Sequence, residues 1–514
     1  MMKKIRQLTA AAAAVVMAMA PAVYATEAET QQMQSSDITE TDAVLKVGSL
    51  WQVPSLDTHT DYNGWYTSIF GISQALFTMN ENLEVAPCLA EDAVEDGKTW
   101  TVTLNKDAAF SNGDDVNSDI VIENLKRCAE KNERFAYFGD YEYGKVDDDT
   151  FTITTPEVYP TLKNDLASPE LGIIDLDATE DTDNAPICTG PFTVSSFTPN
   201  GDVSVVRNEN YWDGNVSLAG ADFLYLDSDD ALLMAMQNGE IDCYNGVTAD
   251  ALQIYQQSPD DYKVVSTPGT RLQFYILNND RLDDKAREAV NLVIDKDLIA
   301  EYLKGVTSRT DGPFSPNAAY GKAKCPAADP EKAKSLLEED GYEPGSDGFY
   351  EKDGEKLSLN IACYAARSLD TIATLMQSQL KDIGVDSTIT IEEDPDSTYI
   401  STGDFDIALY CMVADKAGDP GYFIDSTIKQ GSAYNCGHYV NDEVEKNVTA
   451  LEQETDAAKR ADLANQIIQT VIDDNAYGYI GLFNNITVEK PGVSGYAENY
   501  PYDFYGLFAY TTMS

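Results

Sequence analysis

The stretch GDFDIALYCMVADKAGDPGYF, residues 403–423, decides the fold class of this chain. Its apolar run from Ile407 to Ala414 has the length and composition of a buried strand. The strand is predicted to end at Asp415, because the turn residues that follow cannot continue it. In open α/β sheets, ligands bind at the carboxyl ends of strands, so Asp415 is a candidate for binding a cationic group of a ligand. Alternatively, Asp415 is one of 87 acidic residues and only solvates a turn.

Strand and helix patterns alternate on both sides of this stretch. Leu357–Tyr364 is predicted to form a strand, Leu369–Ile383 a helix that ends at Gly384, and Val385–Ile391 the next strand. This order predicts a right-handed crossover between parallel strands. Farther upstream, Lys98–Leu104 alternates as a half-buried strand does. The sequence therefore predicts a mixed α/β architecture.

The first residues of the chain predict export. Residues 1–25 combine a basic start, an apolar segment from Leu8 to Ala20 and a small-residue cleavage motif, as a signal peptide does. The apolar segment is shorter than the roughly 20 residues that span a bilayer. No Cys stands at the cleavage site, so no lipoprotein anchor is expected, and residues 26–43 are predicted to be a flexible linker. We expect a periplasmic or extracellular protein without a membrane span.

Composition excludes several partners and cofactors. The net charge of −52 becomes −55 without the three basic residues of the leader, so neither nucleic acid nor anionic lipid is an expected partner. The eight Cys are scattered, no CxxC occurs and only two His exist, so no metal site and no cofactor are expected. Most Cys are predicted to be buried thiols, although export would also permit disulfides. The roughly 470 residues after the leader are enough for two or three domains.

An exported hydrolase is the alternative from another functional class. The sequence has no GxSxG motif, no HExxH motif and only two His to act as bases. Its acidic residues are too abundant for a pair of carboxylates to indicate a glycosidase. We therefore do not expect an enzyme.

Seven segments, in order, resemble the peptide- and nickel-binding family of solute-binding proteins that serve ABC importers. One of them is the strand segment GDFDIALY, and another is the helical segment LMQSQLKDIGV. Each motif alone is modest, but the seven together in the order of the family are specific. The segments are Ala75–Val121, Cys188–Gly214, Ala231–Gly246, Arg281–Ile299, Asp329–Tyr342, Leu375–Val385 and Gly403–Tyr410.

This resemblance implies a type II periplasmic-binding-protein fold of the large three-domain variant, with a ligand cleft between two lobes. The N-terminal lobe would comprise residues 44–270, with an inserted subdomain at about 76–184. Residues 271–485 would form the C-terminal lobe, and residues 486–514 would return to the first lobe. Hinge closure of the two lobes would enclose the ligand.

The function implied by the resemblance is peptide transport. The protein would act as a monomer that captures short peptides outside the cytoplasm and delivers them to the permease of an ABC transporter. A nickel chelate, an oligosaccharide or another small solute are the alternatives for the same fold.

The resemblance also implies ligand-binding residues. Asp415 matches an Asp that pairs with the α-ammonium of bound peptides, and Arg367 is the nearest match to an Arg that binds the peptide carboxylate. Arg367 could equally be a surface residue. Tyr62 and Trp65, from an aromatic-rich stretch, are further candidates. Met412 or Val413 stands where the family often has Trp, which leaves the side-chain preference of the site open, and Met412 is a further candidate for ligand contact.

Overall fold

The protein was analysed as a computed structural model, which describes residues 38–514. The predicted signal peptide and residues 26–37 of the predicted linker lie outside the described residues. Across residues 38–514, no helix combines the length and the apolar composition needed to cross a bilayer.

The strands, in chain order, are β1 (Val44–Ser49), β2 (Phe77–Met79), β3 (Val85–Pro87), β4 (Ala90–Asp96), β5 (Thr99–Leu104), β6 (Glu142–Lys145), β7 (Thr150–Thr154), β8 (Phe192–Phe197), β9 (Val203–Arg207), β10 (Gly220–Tyr225), β11 (Cys243–Asn245), β12 (Lys263–Leu277), β13 (Thr307–Arg309), β14 (Glu343–Pro344), β15 (Tyr350–Lys352), β16 (Glu355–Lys356), β17 (Ser358–Cys363), β18 (Asp386–Ile391), β19 (Ile407–Val413), β20 (Tyr477–Glu489), β21 (Val493–Ser494) and β22 (Thr512–Met513).

The α-helices are α1 (Asn63–Ile69), α2 (Ser118–Lys131), α3 (Leu162–Asp165), α4 (Asp229–Asn238), α5 (Ala249–Gln256), α6 (Asp284–Val293), α7 (Lys296–Tyr302), α8 (Pro330–Glu339), α9 (Leu369–Asp382), α10 (Gly421–Phe423), α11 (Asp442–Gln453) and α12 (Ala457–Asp473).

One mixed sheet of 11 strands runs through the molecule in the order β18-β17-β19-β12-β20-β11-β1-β10-β9-β8, with β13 paired to β20. The long strands β12 and β20 lie at its centre and pair with each other in antiparallel fashion. Their register shifts between Pro268 and Arg271 and again between Gln273 and Phe274. A separate four-stranded sheet, β4-β5-β7-β6, lies within residues 90–154.

The strand-helix-strand unit predicted beside the opening stretch is present. β17 and β18 pair in parallel, joined by α9, and Gly384 follows that helix with a φ of +86°. β19 pairs with β17 in parallel and with β12 in antiparallel orientation. Six of its seven residues are buried, because packed elements cover both of its faces. The prediction of a mixed α/β architecture is therefore confirmed.

The core is rich in large side chains and reduced thiols. All eight Cys are unpaired, and six of them are buried. One hydrophobic cluster joins residues of the region 76–173 to β12, β19 and the C-terminal residues 502–505. Distant parts of the chain therefore pack together around the end of β19. The predicted lobe boundaries stay predictions.

Candidate ligand-binding site

Asp415 follows β19 directly, and its carboxylate is buried inside the protein. The side chain accepts hydrogen bonds from the hydroxyl of Tyr320, from the hydroxyl of Tyr502 at 2.8 Å and from the backbone N–H of Gly418 at 2.8 Å. The residue is 2% exposed. Burial raises the pKa of Asp415 to about 6, and the three hydrogen bonds oppose that rise. In this structure three donors of the protein engage the carboxylate, so a ligand ammonium would have to share it with them.

The turn after Asp415 contacts a distant part of the chain. The side-chain amide of Asn164 donates a hydrogen bond of 2.6 Å to the carbonyl of Ala417. Gly418 has a φ of +74°, and a Cβ at this position would lie 2.4 Å from the carbonyl oxygen of Leu83. Only Gly fits this close approach, so the turn is shaped to pack against residues 76–173.

A first cluster of aromatic rings stands near this turn. The rings of Tyr62 and Trp65 meet edge to face at 5.6 Å, and Trp65 lies 5.5 Å from Phe504. The guanidinium of Arg134 lies 4.2 Å from the ring centroid of Tyr62 and pairs with the buried carboxylate of Glu170. Tyr62 is 52% exposed. Such an exposed ring, held by a neighbouring cation, is available to a ligand.

A second cluster of tyrosines extends from β19 and the segments beside it. Tyr410 lies 5.7 Å from Tyr364 and 5.1 Å from Tyr434 between ring centroids. The hydroxyl of Tyr410 donates to the carboxylate of Asp396 at 3.0 Å. Tyr422, just after the turn, is 43% exposed.

The two clusters are joined through Lys416, whose Nζ lies over the ring of Phe135, beside Arg134, and over the ring of Tyr422. Burial raises the pKa of Tyr422, and Tyr434 and Tyr62 raise it further. Arg134 and Arg271 act in the opposite direction on the same hydroxyl.

Besides Arg134, three further cationic side chains belong to this region. The guanidinium of Arg271 lies 5.9 Å from the Trp65 ring, and its Nε is 2.9 Å from a carboxylate oxygen of Asp503. Lys416 Nζ lies 5.4 Å from the ring of Phe135 and 5.7 Å from that of Tyr422.

Arg367 is the third of these cations, and its backbone is unusual. It has a φ of +50° and the next residue, Ser368, has a φ of +62°, while its carbonyl accepts a hydrogen bond of 2.6 Å from Gln273. Its side chain is exposed, and within residues 38–514 it forms no ion pair. Gln273 is two residues from Arg271 in β12, so Arg367 lies beside the strand that carries Arg271, and its guanidinium lowers the pKa of Tyr364.

We call this group of residues the candidate site. Its members are Tyr62, Trp65, Arg134, Arg271, Tyr364, Arg367, Lys416, Tyr422 and Tyr434.

The structure brings together some of the residues that the sequence singled out. Tyr62 and Trp65 are in contact, Arg271 connects them to the region of Arg367, and Asp415 lies one residue before Lys416. Met412 is buried on the same face of β19 as Tyr410, and its sulfur lies 3.8 Å from the hydroxyl of Thr427. Direct contact of these residues with a ligand stays a prediction.

Of the candidate site, sequence reasoning singled out Tyr62, Trp65 and Arg367. It missed the other members, which are Arg134, Arg271, Tyr364, Lys416, Tyr422 and Tyr434. A usable signal existed for Arg271, a lone charge before the apolar half of β12. Among the described residues, no group of three or more His, Cys, Asp or Glu side chains is placed to hold a metal ion.

Comparison with known families decides the class of this protein. The family profile described as "Bacterial extracellular solute-binding proteins, family 5 Middle" matches residues 84–435. The chain belongs to this family. Members of family 5 are binding proteins that work with ABC importers, so the predicted role in ABC transport is confirmed.

Individual relatives match over most of their length. The nickel-binding protein NikA of Staphylococcus aureus is 24% identical over 432 residues, covering 83% of this chain and 86% of the relative. The periplasmic oligopeptide-binding protein OppA of Salmonella typhimurium is 24% identical over 454 residues, which cover 80% of this chain and 81% of the relative. A solved structure of a nickel ABC transporter protein from Bacillus halodurans is 27% identical, with a TM-score of 0.83, and covers 92% of this chain and 100% of that one. The fold of this family 5 protein is thus the predicted type II periplasmic-binding-protein fold.

Proposed function

We propose that this family 5 protein captures a small solute that bears a carboxylate and delivers it to an ABC permease. The first candidate for this solute is a short peptide. The protein would act as a monomer without catalytic activity, after export directed by residues 1–25. The observation that carries the proposal is the pair of cations Arg367 and Lys416, neither of which forms an ion pair in the described chain. Arg367 is exposed, and Lys416 Nζ lies 5.7 Å from the ring of the exposed Tyr422.

The charges of the candidate site favour an anionic group of the ligand. The chain as a whole has a net charge of −52, yet four cationic side chains gather here. Arg134 and Arg271 are already paired with Glu170 and Asp503, whereas Arg367 is free to form a bidentate pair with a carboxylate. A ligand carboxylate is the group that this arrangement complements.

The aromatic rings suit the remainder of a short peptide. Tyrosine rings offer apolar area to side chains and a hydroxyl to backbone groups, and they lose little conformational entropy on binding. Tyr62 and Tyr422 are among the most exposed large side chains of the described residues, and they lie near each other. The name of the relative OppA, an oligopeptide-binding protein, agrees with this proposal.

A metal chelate is the second candidate ligand. It is favoured by the names of two relatives, the nickel-binding protein NikA and the nickel ABC transporter protein of Bacillus halodurans. The cations of the candidate site would repel a bare metal ion and attract an anionic chelate whose carboxylates face Arg271 and Arg367. We therefore expect the metal to enter as a complete chelate.

Calorimetry with defined ligands tests the proposal. We expect tripeptides with a free carboxyl terminus, or a nickel–histidine chelate, to bind, and free Ni²⁺ to bind weakly or not at all. Arg367→Met should lower the affinity about tenfold or more, because a charge-assisted hydrogen bond is lost. Arg281→Met, which removes an exposed Arg paired with Asp404, is the matched control and should change nothing.

Two results would overturn the proposal. If peptides amidated at the carboxyl terminus bind as well as free ones, the carboxylate is not the recognised group. If neither peptides nor chelates bind at millimolar concentration while an uncharged oligosaccharide does, the ligand class is wrong.

A further inference from the structure

A second cavity lies in the C-terminal half of the chain, away from the candidate site. Its volume is about 160 Å³, and its walls come from α6, α12, β20 and the segment of Cys325 and Pro326. It shares no lining residue with the candidate site. One water needs about 10–15 Å³ of such space, so the cavity has room for roughly ten waters or one small organic molecule.

Tyr479 lines this cavity and has a buried hydroxyl that is unsatisfied in the described chain. The residue is 1% exposed, and its hydroxyl has no hydrogen-bond partner within residues 38–514. Its neighbour along the strand, Tyr477, lines the same wall but donates its hydroxyl to the carbonyl of Thr427. A buried hydroxyl without a partner is costly, so the position of Tyr479 suits a polar group of a bound molecule.

Lys296 supplies a cationic group to the same cavity. It is 8% exposed, and the only hydrogen-bond partner of its Nζ in the described chain is the sulfur of Cys325 at 3.4 Å. The nearest carboxylate, Asp311, is engaged by Arg309 and Lys324. Burial lowers the pKa of Lys296, and a bound anion would offset that effect.

The two acidic residues at the cavity have hydrogen-bond donors of different kinds. Glu288 is paired with Lys332 at 2.7 Å, whereas Asp473 accepts a hydrogen bond of 2.9 Å from the neutral amide of Gln469 and keeps its negative charge. The other walls include the apolar side chains of Leu292 and Ile472. The cavity thus combines a buried amine and a free hydroxyl with apolar walls.

We propose that this cavity binds a small organic carboxylate, with its carboxylate held by Lys296 and Tyr479 and its carbon chain against Leu292 and Ile472. The cavity is an accessory site, independent of the candidate site and of its ligand. A neutral amide of the same shape would lack the charge that complements Lys296, and a cation would be repelled by it.

Protection of Cys325 tests this proposal, because that thiol lines the cavity and is half-buried. The purified protein is alkylated with N-ethylmaleimide, with and without butyrate on the order of 10 mM, and the rate at Cys325 is read by peptide mass spectrometry. Cys88, also half-buried, is the internal reference. We expect butyrate to slow alkylation of Cys325 at least about threefold and butyramide to have no effect.

Substitutions of Lys296 and Tyr479 test whether these two groups cause the protection of Cys325. Tyr479→Phe should raise the butyrate concentration for half-protection about three- to tenfold, and Lys296→Met at least about tenfold. Lys304→Met, an exposed Lys bonded to Gln253, and Arg367→Met, in the candidate site, should leave protection unchanged. Because Tyr479→Phe removes only an unsatisfied hydroxyl, it should fold even if Lys296→Met does not.

The proposal fails if butyrate gives no protection, if butyramide protects equally, or if Tyr479→Phe leaves half-protection unchanged. Loss of protection in Arg367→Met would also overturn it, because butyrate would then act from the candidate site.

Discussion

The buried carboxylate of Asp415 can serve two roles, the stability of the fold and the binding of a ligand. Its pKa of about 6 in the folded protein lies above the ordinary value of 3.8, because burial outweighs three hydrogen bonds. The folded state therefore holds this proton more tightly than the unfolded chain does. The resulting stabilisation is complete below about pH 4 and is lost as the pH rises through about 6.

We expect Asp415→Asn to flatten this pH dependence. In the wild type, lowering the pH from 7 toward 4 should recover up to about 3 kcal/mol from this group, since each pKa unit is worth about 1.4 kcal/mol. In the variant, the amide oxygen still accepts from Tyr502 and Gly418, and the amide N–H can donate to the hydroxyl oxygen of Tyr320, so its free energy of unfolding at pH 7 should equal or exceed that of the wild type. Urea unfolding between pH 4 and 7 measures the pH dependence and the free energy of unfolding at pH 7. Asp404→Asn, which changes an exposed ion pair, is the control. Equal pH slopes in Asp415→Asn and wild type would contradict the expectation.

The hypothesis that Asp415 binds a ligand ammonium makes a separate prediction. If it is correct, N-acetylation of a peptide should lower its affinity for the wild type at least about tenfold and leave its affinity for Asp415→Asn unchanged. Calorimetry with both peptides on both proteins separates this role from a purely structural one. Equal binding of acetylated and free peptides by the wild type would leave Asp415 with the structural role alone.

Among the elements, the turn after β19 carries the strongest expectation. In Gly418→Ala, the new Cβ would meet the carbonyl of Leu83 and the backbone would keep an unfavourable φ, so the turn should separate from residues 76–173. We expect ligand affinity to fall about tenfold or more, with a loss of about 1–3 kcal/mol in the free energy of unfolding. Gly431→Ala is the matched control, because Gly431 has a φ of +80° and nothing within 4 Å of the added Cβ. Equal losses in both variants would show that backbone strain alone is responsible.

The elements around this turn could be predicted from sequence because their signals are local. The strand predicted at 407–414 is β19 at 407–413, and the helix predicted at 369–383 is α9 at 369–382. The burial of most Cys was also predictable, since apolar runs surround several of them. These features depend on periodicity and turn chemistry within about twenty residues.

The candidate site could be predicted only in part, because it depends on packing between distant segments. Arg271 meets Trp65 across more than 200 residues of sequence, and no local pattern encodes that contact. The face of β19 on which Met412 lies could not be predicted either. A strand that is buried on both faces shows no alternation of apolar and polar residues, so its two faces cannot be told apart from sequence. Family resemblance supplied Asp415 and Arg367, but not the hydrogen bonds that occupy the carboxylate of Asp415.

For the molecule as a unit, the contacts around β19 describe a closed arrangement. Tyr502 donates to Asp415, Asp503 pairs with Arg271, and Asn164 donates to Ala417, so the C-terminal segment and the region 76–173 both meet the end of β19. Residues 270–277 and 479–485 stand at the predicted lobe boundaries and lie within β12 and β20, which pair with each other and shift register there. A ligand between the aromatic clusters would add to the contacts that join these segments.

We expect ligand binding to shift this protein from open to closed forms. Small-angle scattering should give a smaller radius of gyration at saturating ligand than without it. Tyr502→Phe removes a hydroxyl that donates to Asp415 and accepts from Gly418, so the unliganded variant should be larger than the unliganded wild type. With saturating ligand the two proteins should have the same radius, because ligand contacts then replace the missing hydrogen bond. Tyr496→Phe removes a buried hydroxyl without a partner in the described chain and should match the wild type in both states. Identical radii with and without ligand in all three proteins would contradict hinge closure and require a preformed pocket. In that case the contacts of Asp415 would hold the lobes together permanently, and the ligand would enter without hinge motion.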